Sequence, residues 1–153
     1  MEASSQSAII RYLKGSGLAC SVTLLLFIFY TISLGDINQF LLLAFILTVH
    51  TYAGAAAGEL LLQLLKPLET WLVYPLLGVF IFGSLGALHG LFIILTYDLV
   101  GFFIGVTMAS SISFFFSPLI KSRPLSFLFA AMGPSLFIII LLSSFFAKAL
   151  GQN

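Results

Sequence analysis

Five apolar stretches alternate with short polar breaks along the 153-residue chain. A polar segment, residues 1–17, comes first. It holds Ser4, Ser5, Gln6 and Ser7, then Arg11 and Lys14, and reads as a cytoplasmic tail with a positive flank. Residues 18–34 are the first apolar run, at the short end for a membrane span. A cleaved signal peptide is the competing reading, with Arg11 and Lys14 as its basic flank and Ser33 and Gly35 as small residues before the cut. Gly35, Asp36, Ile37 and Asn38 make a turn-like break, in which Asp36 suits a helix cap.

The second span is expected at 39–61. Its apolar character runs on to Leu65 and stops at Lys66, Pro67, Leu68, Glu69 and Thr70. Trp71 and Tyr74 then form an interfacial aromatic pair, and Pro75 suits a first helical turn. Between Trp71 and Ile120 only Asp98 carries a formal charge. One helix of that length would be far longer than a hydrocarbon core of about 30 Å, so the stretch divides at Thr96, Tyr97 and Asp98. The third span is expected at 72–95 and the fourth at 99–118. Lys121, Ser122, Arg123 and Pro124 break the pattern again. The fifth span, 125–147, contains Gly133 and Pro134 and should kink there. Residues 148–153 are a short external tail.

Composition agrees with the pattern. Hydrophobic residues make up 61% of the chain and charged residues 7%. A soluble domain carries about 25% charged residues, so lipid is the expected solvent. The fold class is therefore an all-α, polytopic bundle of five transmembrane helices. Arg11, Lys14, Lys66, Lys121 and Arg123 would fall on one side and only Lys148 on the other. That bias puts the N-terminus in the cytoplasm and the C-terminus outside. Small size, short loops and no organellar targeting segment suggest a bacterial plasma membrane. A net charge of +1 gives no case for nucleic acid.

Candidate chemistry is sparse. The single cysteine, Cys20, excludes an intrachain disulfide and reads as structural. No phosphate-binding loop and no G-x-S-x-G are present, and Ser110, Ser111, Ser113 and Ser117 have no acid–histidine partner at useful depth. No catalytic residue, resident metal or cofactor is expected, and the chain reads as non-enzymatic. Small residues recur at four-residue spacing: Gly54 and Gly58, Gly86 and Gly90, Gly101 and Gly105. Such pairs suit helix-packing faces.

Glu59 is the leading functional candidate, because an ionisable group at membrane depth usually faces the bundle interior. Tyr52 and Gln63 share its helix face, and Gly54 to Gly58 leave space beside it. The plainer reading sends Glu59 to the headgroup layer, pairing with Lys66. His50 and His89 sit on spans two and three, which are expected to be antiparallel neighbours, at depths that differ by about 6 Å. Paired histidines can ligate a haem iron, which makes His50 and His89 weak haem-ligand candidates. The plainer reading is a buried histidine bonded to a neighbouring hydroxyl or carbonyl.

Two function classes stay open on these residues. One is a small-solute or ion transport protein, homo-oligomeric, using Glu59, His50, Tyr52 and Gln63. The other is an auxiliary or immunity-type subunit that packs against another membrane protein. A haem-bearing anchor is a third.

Overall fold

The computed structural model describes the backbone of residues 2–31, 37–65, 74–97 and 102–149. It describes side chains within 8–29, 43–64, 75–92, 103–139 and 141–142. Helix is the only regular structure among the described residues, with residues 120–122 as a short link. The helices are α1 (Glu2–Thr31), α2 (Ile37–Leu65), α3 (Tyr74–Tyr97), α4 (Phe102–Phe116) and α5 (Arg123–Ala149). A 3₁₀ turn, Ser117–Leu119, follows α4. Three helices carry stretches long and apolar enough to cross a membrane: Ala8–Phe29, Leu43–Leu64 and Pro75–Phe92. Phe103–Leu119 and Arg123–Ile139 are apolar but shorter.

The apolar runs set α2 and α3 close to expectation. The α2 helix continues to Leu65, where the apolar pattern stops. Pro75 lies in the first turn of α3, where its missing N–H costs no helical bond. Helix α3 runs on through Thr96 to Tyr97, past the start of the expected hairpin. Asp36, Lys66, Asp98 and Gly101 lie outside the described residues. Helix α5 continues through Pro134.

Helix α1 departs most from expectation. It starts at Glu2, and its apolar stretch begins at Ala8 rather than at residue 18. Two causes are visible. Arg11 meets an opposite charge on α2, which removes the cost of carrying it on a packed helix. Gly15, Ser16 and Gly17 break the apolar run but are buried where other helices come close. A Cβ on Gly17 would overlap the carbonyl oxygen of Phe129 on α5, and one on Gly15 would press into Phe114 on α4. The small residues are thus the means by which α1 becomes the central helix.

Around α1 stand α2, α4 and α5, and α3 packs chiefly on α4. The expected close pairing of α2 with α3 is not what forms: these two barely touch, and α4 takes the place beside α3. The α3–α4 contact is backbone to backbone. A Cβ on Gly86 would lie 2.7 Å from the Met108 Cα, and one on Gly90 would lie 2.7 Å from the Ile104 Cα. Gly58 packs on Phe114 and Phe82, whereas Gly54 has only the His89 ring, at 3.9 Å from a Cβ. Gly105 differs from the packing expected of it: it is exposed, and a Cβ there would meet nothing within 4 Å.

Chain direction follows from paired contacts. Gly86 and Gly90 meet residues 107–108 and 103–104 in descending order, so α3 and α4 are antiparallel. Arg11 bonds Glu59 and Cys20 lies by Thr48, so α1 and α2 are antiparallel. Gly17 lies by Phe129 and Ser21 by Met132, so α1 and α5 are parallel. Arg11, Lys14, Lys121 and Arg123 consequently gather at one end, where the Lys14 Nζ donates to the Ile120 carbonyl at 3.2 Å.

Two apolar clusters hold the bundle. Near the basic end, Phe82, Phe114 and Phe115 pack with Ala19, Ala55 and Leu62. Toward the other end, Phe27, Ala44, Leu47 and Phe103 form the second cluster. Burying a side chain of this kind contributes about 1.5–3 kcal/mol in water, but lipid tails are as apolar as the core. Close packing and satisfied polar groups therefore carry more of the stability here.

Candidate functional site

The weak contact between α2 and α3 leaves a cavity of about 320 Å³. It touches both apolar clusters, through Ala55 and Phe114 on one side and Leu47 on the other. Its polar wall comes from three helices: His50 and Thr51 on α2, His89 on α3, and Thr107, Ser110 and Ser111 on α4. Among the described residues no Asp, Glu, Lys or Arg lines it.

The two imidazole rings meet across this space with centroids 5.3 Å apart and planes at 66°. They approach because Gly54, one turn after His50, leaves room for the His89 ring. The His89 Nε2 is buried and has no hydrogen-bond partner among the described residues. Haem ligation by both histidines would require iron between the rings. Their edge-to-face contact leaves no slot for a porphyrin plate there, so the pair does not fit that group. Among the described residues no cluster of three or more His, Cys, Asp or Glu is placed to hold a metal ion.

Three hydroxyls of the wall are fixed by backbone carbonyls. Thr51 donates to the Leu47 carbonyl at 2.7 Å, and Ser110 donates to the Ala19 carbonyl of α1 at 3.3 Å. Thr107 donates toward the carbonyls of Gly86 at 2.5 Å and Phe103 at 2.6 Å. A carbonyl has no proton to give, so in each contact the hydroxyl is the donor.

Glu59 lies apart from the cavity. It is 7% exposed, and its carboxylate faces α1. The Arg11 Nε lies 2.9 Å from each carboxylate oxygen, and a terminal guanidinium nitrogen also contacts Oε1. The Gln63 Nε2 donates to Oε1 at 3.3 Å, one turn on. The charge on Glu59 is therefore balanced by Arg11. Tyr52 is turned the same way. Its carbonyl accepts from the Tyr12 hydroxyl at 2.9 Å, and its own hydroxyl is buried against Gly133 of α5.

The four candidates of the expected pathway thus divide. Glu59 faces α1 and Tyr52 faces α1 and α5, Gln63 is exposed beside Glu59, and His50 alone of the four lines the cavity. Thr51, Thr107, Ser110 and Ser111 enter as wall residues. Only their shared depth with His50 and His89 hinted at this, and the serines and threonines of a membrane helix have an equally ordinary use in bonding back to carbonyls. Neither a family model, nor a curated protein, nor a solved structure matches the chain.

Proposed function

We propose that this chain is a five-span integral membrane protein, N-terminus inside, that binds a small polar solute between His50 and His89 and passes it across the bilayer. The observation that carries this reading is a cavity of about 320 Å³, mostly apolar in its lining, into which two histidines and four hydroxyl residues from three helices are gathered. Polar groups facing empty space in hydrocarbon are costly unless water or a solute meets them. The volume matches on the order of ten waters, or a solute of a few heavy atoms.

The five-span topology draws support from chain direction. Helices α1 and α5 run one way, and α2 and α4 run the other. Helix α3 opposes α4, so direction alternates along the chain. The four described basic residues gather at the end assigned to the cytoplasm, taken here as that of a bacterial cell. A reporter fused after Asn153 should read as external, and a cytoplasmic signal there would contradict the odd span count.

Apolar cluster residues bound the cavity on both sides, which suits a carrier that opens to one side at a time better than a continuous pore. No covalent chemistry is required of the wall. Liposomes carrying the full chain should swell faster than empty ones in an osmotic gradient of urea, glycerol or methylammonium chloride. The His89→Phe variant, which removes the unpartnered imidazole nitrogen from the wall, should slow the rate toward that of empty liposomes. Equal rates for the parent and a folded His89→Phe protein would refute passage through this site.

A second reading has its own observation. Helix α3 packs chiefly on α4 and exposes Leu76, Phe80, Leu88 and Phe92. That face would equally serve a partner membrane protein or a second copy of the chain, and co-purification from native membranes would favour it.

A further inference from the structure

Taking the cavity as a solute site, we infer that it selects small solutes bearing N–H donors, with the primary ammonium head group as the type. The inference comes from where the wall's protons already point. Each of Thr51, Thr107 and Ser110 has one hydroxyl proton, and each directs it at a backbone carbonyl. What their oxygens can still offer a solute is lone pairs. Thr51 is also approached by the Thr23 hydroxyl at 3.3 Å, which leaves its oxygen with less capacity but the same polarity.

His89 adds an atom of the same use. Its Nε2 is buried in the cavity wall without a partner among the described residues. A neutral imidazole carries one acceptor nitrogen, and in the tautomer with its proton on Nδ1 a donor from the solute would satisfy Nε2. Among the described residues the wall presents no Lys or Arg to hold an anion. Phe114 and the two imidazole rings supply faces that attract cations. An acceptor-only solute of equal size would find the protons of Thr51, Thr107 and Ser110 already committed and would depend on Ser111 and the imidazole N–H groups alone. A cation without N–H groups would find the ring faces but leave the acceptors unmet.

The test uses the full chain in lipid nanodiscs, labelled with ¹⁵N on histidine. The chain contains two histidines, His50 and His89, so the imidazole spectrum reports this site alone. Three probes are titrated separately: methylammonium, tetramethylammonium and dimethyl sulfoxide. Methylammonium should shift the His89 signal saturably, at a concentration at least about tenfold below either other probe. Thr51→Val, which removes one acceptor and keeps the shape, should weaken methylammonium about three- to tenfold, the equivalent of one hydrogen bond. If tetramethylammonium or dimethyl sulfoxide binds as well as methylammonium, donor selection is overturned and the cavity remains a solute site. If none of the three shifts either histidine, the solute site itself is overturned.

Discussion

Arg11 with Glu59, and His50 with His89, are two polar pairs inside this apolar bundle, and they answer the cost of burial in different ways. In the first, a guanidinium and a carboxylate come from helices packed tightly together, and Gln63 adds a further donor. In the second, two imidazoles come from helices that scarcely touch, and a ring nitrogen of His89 has no partner among the described residues. A pair that satisfies itself serves to hold α1 on α2. The unpartnered nitrogen of His89 leaves hydrogen-bonding capacity that the first pair does not.

Removing one member of the self-satisfied pair should have the largest effect on stability. Glu59→Leu strands the Arg11 guanidinium on a packed helix. Breaking a fully buried pair costs about 3–5 kcal/mol. The Arg11 side chain is 34% exposed, so a loss of about 2–3 kcal/mol is expected, read from unfolding in detergent. Arg11→Met combined with Glu59→Leu should recover most of it, because neither charge is then alone. A double variant as unstable as the sum of the singles would break the comparison.

Tight and loose contacts can be compared at the glycines. Gly90→Leu must push α3 from the α4 backbone and should cost about 1–3 kcal/mol or more. Gly105→Leu should change stability by no more than about 0.5 kcal/mol, since its Cβ meets nothing within 4 Å. Equal losses at both positions would mean that α4 has a second packed face. His89→Phe should be smaller still in stability, below about 1.5 kcal/mol, because a ring replaces a ring. Its effect belongs to solute passage, as set out above. A stability loss as large as that of Glu59→Leu would make His89 a structural residue like Glu59.

These contrasts also show what a chain of this kind reveals before it folds. Helices α2 and α3 are legible because apolar runs, proline and polar breaks are local signals. The meeting of His50 with His89 is legible from counting depth along two spans. The first helix is not, because Arg11 and Lys14 look like a solvated tail until Glu59 is known to face α1. The role of Glu59 is hidden for the same reason: its partner lies 48 residues earlier, and no spacing rule links them. The cavity is hidden too. It arises because α4, rather than α2, packs on α3, and that choice depends on Gly86 and Gly90 fitting the α4 backbone.

The central claim is that a polar solute reaches the space between the two apolar clusters. Cysteine accessibility tests it most directly, since Cys20 is the only native thiol and is itself buried. In a Cys20→Ala background, Ser111→Cys would place a thiol on the cavity wall and Phe27→Cys would place one in the apolar cluster. With the protein in liposomes, a small, charged, water-soluble methanethiosulfonate reagent should modify the first and spare the second. Protection of both sites, with the protein folded, would contradict the account.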